Sequence, residues 1–350
     1  MKLLIGKNEL TRVLTNVGRV VEARNTIPIL GSVLLAAEDG KLRVTGTDMD
    51  IVATDTAPAT VEAKGSLCVD AKLLSDIAKK AVGDITMSLE GDQLIVKSGR
   101  SRFTLQTLPA GDFPDLKGGE YVATFDIDLA ALVAPVTFAI SSDDARYYLQ
   151  GVYFAGGEDV CVAVATDGHR LARHTAPALA VFDGVIIPKK VTSLLPKGSV
   201  SVSVGSAKIC IASGDFEMVS KLIDGTFPDY ERVIPMGNEL IVSADKTELL
   251  RASDRVSTVS NERGRAVKLS VAPGAISLSV KSPTGDAHDE VEAEYSAEPV
   301  EIGFNTLYLR DALSVMADGA VTLALRDSGS PARLTGKNEM LDITLMPMRV

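Results

Sequence analysis

The sequence Thr166-Asp167-Gly168-His169-Arg170-Leu171-Ala172 has a counterpart 119 residues earlier, in Thr47-Asp48-Met49-Asp50-Ile51-Val52-Ala53. The preceding segments, Val33-Leu34-Leu35-Ala36 and Val152-Tyr153-Phe154-Ala155, match at the same offset. Both copies run through alternating apolar positions into a Thr-Asp turn, and one dipeptide could not produce a shared strand register of this length. The match therefore indicates an internal repeat and hence tandem domains.

The length of the chain also favours several domains. With 350 residues it is too long for one ordinary core, and three units of roughly 117 residues fit best. No apolar run approaches the roughly 18 to 20 residues that cross a bilayer, and Met1-Lys2-Leu3-Leu4-Ile5-Gly6 lacks the long apolar stretch of a signal peptide. We therefore expect a soluble, cytoplasmic protein with no membrane partner.

The three cysteines stand far apart, each inside an apolar run that is typical of a strand. Cys68, Cys161 and Cys210 have spacings that match no metal site and no disulfide framework. We expect all three to be buried, reduced thiols.

The first unit consists of two copies of a predicted β-α-βββ motif. Apolar residues from Leu10 to Val17 recur at helical spacing after Asn8, a candidate N-cap. Asp39-Gly40 then separates two strand-like runs, and this dipeptide is typical of a two-residue hairpin. The second half has the same order of elements, and its helix carries Leu73, Leu74, Ile77 and Ala78.

Two similar closing sequences divide the chain. Phe113-Pro114-Asp115-Leu116 ends the first unit, and Phe227-Pro228-Asp229-Tyr230 ends the second, 114 residues later. We predict an α+β fold of three tandem domains, 1–118, 119–236 and 237–350, each with two β-α-βββ motifs. In the second domain, Pro135 interrupts the helix predicted from Asp128 to Ile140 and should kink or shorten it.

An enzymatic interpretation would use the histidines. His169 and His174 could bind a metal, or His169 could act with Asp167 as a general base in a hydrolase. The sequence lacks a glutamate beside a helical histidine pair, a nucleophile elbow and a glycine-rich phosphate loop. We therefore expect no catalytic residue, no metal and no cofactor, and keep the hydrolase as the alternative.

The distribution of charged residues indicates where the chain could contact nucleic acid. The net charge is −10, so any DNA contact must come from local basic patches. One basic residue on a helix is most often simply solvated, but such residues recur in five of six related helices, which predicts a common face that contacts phosphates. These residues are Arg12, Arg19, Lys72, Lys79, Lys80, Lys189, Lys190, Lys246, Arg251, Arg255 and Arg310.

A second candidate for DNA contact combines charge with aromatic rings. Arg146, Tyr147 and Tyr148 are consecutive and come just before a predicted strand. Aromatic rings can stack on bases while a guanidinium contacts phosphate, although ordinary packing of tyrosine on a sheet explains the same pattern. Arg24, in the turn after the first helix, is expected to be exposed and basic.

Taken together, these ordered motifs resemble the bacterial sliding clamp, the beta subunit of DNA polymerase III. The resemblance covers the whole chain. Besides the repeats and closing sequences, it rests on Ile27-Pro28-Ile29-Leu30-Gly31, Ser98-Gly99-Arg100-Ser101-Arg102-Phe103, Arg146-Tyr147-Tyr148-Leu149, Glu301-Ile302-Gly303-Phe304-Asn305 and Met346-Pro347-Met348-Arg349.

The resemblance implies a non-catalytic processivity subunit of the DNA polymerase III holoenzyme. Two copies would form a head-to-tail ring of six like domains around double-stranded DNA, held topologically and without sequence specificity. The implied partners are the clamp loader, the DNA polymerase III alpha subunit, and other polymerases and repair proteins that bind through short clamp-binding peptides.

The resemblance also implies particular site residues. A peptide pocket between the second and third domains would use Leu149, Thr166, Gly168, His169, Arg170, Leu171, Pro228, Arg232, Val233, Asn305, Tyr308, Met346, Pro347, Met348, Arg349 and Val350. DNA would contact Arg24, Arg146, Tyr147, Tyr148, Lys189 and Lys190. The ring seam would join Lys72, Phe103 and Leu105 to the region of Val259. One departure is Gly264, where some family members carry a bulky apolar residue, so that edge of the pocket is expected to be more open.

Overall fold

The computed structural model describes residues 1–22, 26–114, 119–259, 266–283 and 285–350. These residues form two compact units, Met1–Leu129 with Ser193–Leu222 (unit 1) and Ala130–Thr192 with Ile223–Val350 (unit 2). No helix within the described ranges has the length and apolarity required to cross a membrane.

The secondary structure is α+β, as the sequence predicts. The helices are α1 Lys7–Gly18, α2 Ala71–Lys80, α3 Leu129–Val133, α4 Lys189–Leu194, α5 Lys246–Ser257 and α6 Thr306–Val315. The strands are β1 Lys2–Ile5, β2 Ser32–Glu38, β3 Lys41–Thr47, β4 Ile51–Pro58, β5 Thr60–Ala63, β6 Gly65–Asp70, β7 Ile85–Glu90, β8 Gln93–Ser98, β9 Ser101–Leu108, β10 Ala123–Ile127, β11 Gly151–Gly156, β12 Val160–Thr166, β13 Arg170–Pro177, β14 Phe182–Pro188, β15 Val200–Val204, β16 Lys208–Ser213, β17 Phe216–Lys221, β18 Leu240–Asp245, β19 Ala266–Ala272, β20 Ala275–Ser282, β21 Gly285–Glu294, β22 Val300–Asn305, β23 Ala320–Leu325, β24 Ala332–Gly336 and β25 Leu341–Leu345. Short 3-10 helices cover Pro28–Gly31, Ala110–Asp112, Ala134–Ala139, Asp144–Leu149 and Glu231–Val233.

Unit 1 is built on one antiparallel sheet of 13 strands. Their order is β10-β15-β16-β17-β4-β3-β2-β6-β9-β8-β7-β1-β5. Helices α1 and α2 bury their apolar stripes in the core beside this sheet, from Leu10 to Val17 and from Leu74 to Ala78. Burying these side chains away from water holds the helices in place, because each large apolar side chain stabilises the fold by about 1.5–3 kcal/mol.

Two local predictions for unit 1 are wrong. Leu73 is 48% exposed, because α2 turns it away from the stripe that includes Leu74 and Ile77. Asn8 is not an N-cap, since α1 begins at Lys7 after Gly6, which makes no side-chain cap. The cap of α2 is Asp70, whose carboxylate accepts from the Leu73 N–H at 2.6 Å.

Unit 2 is built on a second antiparallel sheet, of 12 strands. Their order is β14-β11-β12-β13-β25-β24-β23-β18-β21-β20-β19-β22. Asp245 caps α5 and Asn305 caps α6, each by accepting a backbone N–H in the first turn. Caps of this kind satisfy donors that the helix itself leaves without partners.

Pro135 shortens the first helix of the second domain, as predicted. Helix α3 ends at Val133, and a 3-10 helix continues from Ala134 to Ala139. Proline has no N–H to donate to the preceding turn, so the regular α-helix cannot continue through it.

The repeated turn has the same hydrogen bonds in both units. Thr47 Oγ accepts from the Met49 N–H and donates to the Ile51 carbonyl, while Asp48 accepts from the Ile51 N–H. Met49 has φ +81°, and its counterpart Gly168 has φ +86°. Unit 1 thus places a methionine in a backbone region that favours glycine, which indicates that the hydrogen bonds define the turn.

The cysteines are free thiols, as predicted. Cys68 and Cys161 are buried and Cys210 is half-buried. Burial raises the pKa of Cys68 and of Cys210 to about 11, and it also raises the pKa of Cys161.

We predict that the folded protein resists alkylation by iodoacetamide at pH 8. With a pKa near 11 only about one thiol in a thousand is a thiolate at that pH, and the thiolate is the reactive form. Mass spectrometry should find three modified cysteines after unfolding in urea and nearly none before. Rapid modification of Cys68 or Cys210 in the folded protein would contradict this account of their burial.

Candidate functional site

Unit 2 contains a small, mostly apolar cleft beside the repeated turn. Its volume is about 260 Å³, enough for one or two side chains and smaller than a typical drug-sized pocket. It is lined by Leu149, Thr166, Gly168, Arg170, Leu171, Pro228, Asp229, Tyr230, Val233, Thr344 and Met346.

The turn between β12 and β13 fixes one wall of the cleft. The Thr166 hydroxyl donates to the Arg170 carbonyl and accepts from the Gly168 N–H, at 2.8 and 3.1 Å. Asp167 Oδ1 accepts from the N–H groups of His169 and Arg170. Gly168 has a positive φ, and an added Cβ would lie 2.7 Å from Arg146 Nη1. Glycine is therefore required both by the backbone and by the space beside it.

Arg170 is held rigidly at the rim. Its Nε donates to Asp167 Oδ2 at 3.0 Å and its Nη1 to Asp311 Oδ2 at 2.6 Å. The guanidinium carbon lies 4.4 Å from the centre of the Tyr308 ring, and Tyr308 also stacks on His169. The positive charge of Arg170 therefore interacts with two carboxylates and an aromatic ring of the same chain. This side chain shapes the cleft more than it attracts an anion.

The segment Phe227-Pro228-Asp229-Tyr230 forms the opposite wall. Phe227 stacks on Tyr153 with ring centres 5.0 Å apart, and Tyr230 packs on the same ring at 5.9 Å. Burial raises the pKa of the Tyr230 hydroxyl, so it stays neutral near pH 7. The aromatic anchors hold Pro228 and Asp229 between them at the cleft, which explains why the closing sequence has this form.

The end of the chain completes the cleft and then follows β22. The Met346 N–H donates to the His169 carbonyl at 2.8 Å, and the Met348 N–H donates to the Gly303 carbonyl at 2.7 Å. A Cβ at Gly303 would collide with the Val350 side chain and with the Met348 carbonyl oxygen. The apolar tail therefore finds part of its contact surface within the same chain.

The structure brings together half of the residues predicted for the pocket. The eight that line the cleft are Leu149, Thr166, Gly168, Arg170, Leu171, Pro228, Val233 and Met346. The eight that do not line it are His169, Arg232, Asn305, Tyr308, Pro347, Met348, Arg349 and Val350. Of these, Asn305 caps α6, His169 and Tyr308 stack on each other, and Arg232 is exposed and paired with Asp229.

Sequence reasoning missed three lining residues. Asp229 and Tyr230 belong to the closing sequence and could have been included from it. Thr344 enters the cleft because β25 pairs with β13 in a register that places it opposite Leu171. No sequence motif marks that register, since the two strands are far apart along the chain.

The residues of the predicted aromatic DNA contact differ in exposure and in their contacts. Tyr147 is 52% exposed and meets Tyr148 edge to face at 5.8 Å. Arg146 Nε donates to Asp143 at 2.8 Å, and this hydrogen bond lowers the pKa of the Asp143 carboxyl. Arg146 thus has a carboxylate partner within the chain, and Arg24 lies outside the described residues.

The predicted common face of helix cations stays a prediction, and five of its members have partners within the chain. Arg12, Lys246, Arg251, Arg255 and Arg310 each form an ion pair with a carboxylate of the same unit. Paired cations attract phosphate less, because their charge is already partly neutralised. By contrast, α2 presents exposed Lys72, Lys79 and Lys80, and α4 presents exposed Lys189 and half-buried Lys190.

The residues predicted for the ring seam differ in burial. Leu105 is only 5% exposed and belongs to the core of unit 1, and Phe103 is half-buried against the same core. Lys72 is exposed and Val259 is half-buried. Gly264 lies outside the described residues, so its effect on the pocket stays a prediction.

His169 and His174, the residues of the enzymatic interpretation, each contact other residues of unit 2. His174 Nδ1 lies 2.8 Å from the Leu132 carbonyl and Nε2 lies 3.3 Å from the Asn338 amide, so this ring ties neighbouring segments together. His169 stacks on Tyr308. Within the described ranges, no group of three or more His, Cys, Asp or Glu side chains could hold a metal ion.

Three domain models of the DNA polymerase III beta subunit match the chain in order. The N-terminal domain matches residues 1–117, the central domain 126–229 and the C-terminal domain 231–349. The Beta sliding clamp of Caulobacter vibrioides is 39% identical, and that of Escherichia coli K12 is 34% identical, each over 100% of both chains.

Solved structures agree with these matches. A DnaN sliding clamp from Bartonella birtlesii bound to griselimycin superposes with a TM-score of 0.95 at 38% identity, over 100% of both chains. A DNA polymerase sliding clamp from Pseudomonas aeruginosa, solved with a ligand, gives 0.95 at 36% identity, also over 100% of both. The chain therefore belongs to the family of DNA polymerase III beta subunits, the beta sliding clamps.

Proposed function

We propose that two copies of this chain close into a ring around double-stranded DNA and hold other proteins there through short peptides bound in the cleft. Members of the family are non-catalytic processivity factors of DNA polymerase III, so the chain is a DNA sliding clamp and not an enzyme. The observation that carries the peptide proposal is the cleft itself, a mostly apolar site whose turn and rim are fixed by hydrogen bonds.

The proposal extends to partners and location. The clamp would be opened by a clamp loader and would bind the DNA polymerase III alpha subunit, other polymerases and repair proteins in the cytoplasm. One cleft of this size can hold only an anchor side chain or two at a time, so different partners would compete for it. The domain limits 1–118, 119–236 and 237–350 belong to the same proposal.

Two strand edges suit ring closure by two copies. β9 pairs with β8 from Ser101 to Gln106 and meets β6 only at its last two residues, Thr107 and Leu108. β21 pairs with β20 from Gly285 to Glu292 and meets β18 only at its last two residues, Ala293 and Glu294. Apart from these contacts, the second edge of each strand has no neighbouring strand among the described residues. Edges of this kind favour pairing with another chain.

The charges on these edges are complementary. Arg102 is exposed on β9, where it also forms an ion pair with Glu90 at 3.6 Å, whereas Asp286, Glu290 and Glu292 are exposed on β21. We propose that β9 of one copy lies beside β21 of the other, head to tail, with Phe103 and Lys72 near the seam. Such a contact joins two different surfaces and closes after two copies if the rotation between them is about 180°.

The ion pairs on the helices favour mobile contact with DNA. Five of the helix cations have carboxylate partners within the chain, while Lys72, Lys79, Lys80 and Lys189 are exposed on α2 and α4. A small number of phosphate contacts gives weak binding, which salt weakens further. Retention on DNA would then depend on enclosure and not on affinity.

We predict that the protein, once loaded on nicked circular DNA, survives moderately high salt and is released when the circle is cut. A ring cannot leave a closed circle, whereas direct phosphate contacts of this acidic chain would be lost in salt. Gel filtration of the loaded complex before and after cutting measures this. Equal salt-resistant retention on short linear DNA would rule out the ring.

A second prediction concerns the seam. Phe103→Ala should shift the dimer toward monomers with a modest loss of melting temperature, because Phe103 is half-buried and lies on the proposed contact edge. Leu105→Ala is the matched control. It removes a core side chain, which costs about 2–5 kcal/mol, so it should lower the melting temperature more. Sedimentation at nanomolar concentration measures the dimer, and an unchanged Phe103→Ala dimer would exclude this seam.

A third prediction concerns the tail. Deleting Met346 to Val350 should weaken binding of a labelled DNA polymerase III alpha C-terminal peptide by about tenfold or more, since one wall of the cleft is lost. Deleting only Met348 to Val350 removes the Gly303 contact but keeps Met346, so it should preserve most of the affinity. Fluorescence anisotropy measures both, with sedimentation to confirm dimers. Full affinity after the longer deletion would place the pocket elsewhere.

A further inference from the structure

We infer that Asp311 and Phe138, which do not line the cleft, are positioning residues that raise its peptide affinity by holding Arg170 in one orientation. Neither residue is among those that the family resemblance implies for the pocket. This inference rests on the proposed peptide-binding function and adds to it the residues that support the rim.

Arg170 is the part of the cleft that most needs support. It lines the cleft, and its long, unbranched side chain is only 11% exposed. Such a side chain has many rotamers when it is free, and ordering it when a ligand binds costs conformational entropy. If the side chain is already fixed in the free protein, this cost no longer reduces the affinity. Groups that fix Arg170 therefore strengthen peptide binding without touching the peptide.

Helix α6 holds the guanidinium of Arg170 through two side chains. Tyr308 and Asp311 are three positions apart in this helix, so they lie on the same face of it. Asp311 Oδ2 accepts a hydrogen bond from Arg170 Nη1 at 2.6 Å, and the guanidinium carbon lies 4.4 Å from the centre of the Tyr308 ring. A hydrogen bond between two charged groups is strong and directional, so it restricts the end of the arginine side chain.

A second aromatic ring contacts the same guanidinium from a different element. The guanidinium carbon of Arg170 lies 5.2 Å from the centre of the Phe138 ring. Phe138 is half-buried and belongs to the 3-10 helix Ala134–Ala139, which follows α3 and contains Pro135. Aromatic rings attract a cation, and two rings restrict the guanidinium more than one does. The segment in which Pro135 ends the regular helix thus supplies a contact to the rim.

Asp167 holds Arg170 at a different atom from Asp311. Asp167 Oδ2 accepts from Arg170 Nε at 3.0 Å, whereas Asp311 holds the terminal nitrogen Nη1. Without Asp311, the guanidinium would keep its hydrogen bond to Asp167 but could pivot about it. The side chain of Asp311 is 46% exposed, and ion pairs with an exposed partner are of modest strength. We therefore expect its removal to weaken peptide binding and not to abolish it.

The test is fluorescence anisotropy of the full-length protein with a labelled DNA polymerase III alpha C-terminal peptide. Asp311→Asn should weaken binding about three- to fivefold, and so should Phe138→Leu, which keeps an apolar side chain but has no ring. The two substitutions together should weaken binding by about tenfold or more. Asp311→Glu keeps the carboxylate, so it should bind the peptide more tightly than Asp311→Asn.

Asp254→Asn is the matched control. Asp254 on α5 forms a partly exposed ion pair at 2.8 Å with Arg310, the residue next to Asp311 on α6. This substitution removes the same charge and also breaks an ion pair to α6, but it leaves the contacts of Arg170 in place. It should leave the peptide affinity unchanged. Thermal unfolding should show a small decrease for both Asp254→Asn and Asp311→Asn, so a loss of stability would not explain the difference in binding.

A double-mutant cycle shows whether Asp311 acts through Arg170. Arg170→Met keeps an unbranched apolar side chain but has no guanidinium to position. In that background, Asp311→Asn should change the peptide affinity by less than about twofold.

The outcomes separate this inference from the proposed function. If the native protein binds the peptide and both Asp311→Asn and Phe138→Leu bind it equally well, the positioning role is overturned and the peptide site stands. The role is also overturned if Asp254→Asn weakens binding as much as Asp311→Asn, or if the Asp311→Asn loss persists in the Arg170→Met background. If the native protein does not bind the peptide, the peptide site and the inference fail together.

Discussion

The hydrogen bonds of the turn from Thr166 to Arg170 are the constraint on which the site depends. They hold Gly168 in a left-handed conformation, aim Arg170 at Asp311, and present the His169 carbonyl to the Met346 N–H. Each bond is modest, with a net value of about 0.5–1.5 kcal/mol. Together they fix both the wall of the cleft and the point at which the chain end joins it.

The same turn in unit 1 shows how a repeated scaffold acquires different roles. Thr47 and Asp48 make the corresponding bonds, and Asp50 takes the place of His169. There the Asp50 carbonyl accepts from the Lys221 N–H, and the two side chains form an ion pair at 2.9 Å. The backbone frame is preserved, while the segment that joins the turn differs: it is the end of β17 in unit 1 and the residue after β25 in unit 2.

Much of the fold follows from local sequence signals. Helical spacing located α1 and α2, Asp39-Gly40 located a hairpin, and Pro135 marked the end of α3, because each depends on residues close together along the chain. The prediction that Leu73 packs with its apolar neighbours was wrong, because a stripe of neighbouring apolar residues does not determine which of them faces the core. The eight predicted residues that line the cleft were identified from the family resemblance and not from the spacing of residue types in the sequence.

The parts of the fold and of the site that local sequence signals do not predict depend on contacts between residues that are far apart along the chain. The ion pair of Arg310 with Asp254 depends on how α6 packs on α5, and that of Arg255 with Asp289 depends on how α5 packs on β21. No sequence pattern predicts these two ion pairs. Thr344 reaches the cleft through the register of β13 with β25, set by residues 173 positions apart. Burial of a polar atom is likewise a property of the packed structure and not of the residue type.

The most direct test of the ring is electron cryo-microscopy of the protein loaded on a circular double-stranded DNA. The account predicts density for two copies related by a two-fold axis, joined at β9 and β21, with the duplex passing through a closed central opening. A single copy bound to the side of the duplex, or two copies with the DNA outside them, would contradict it.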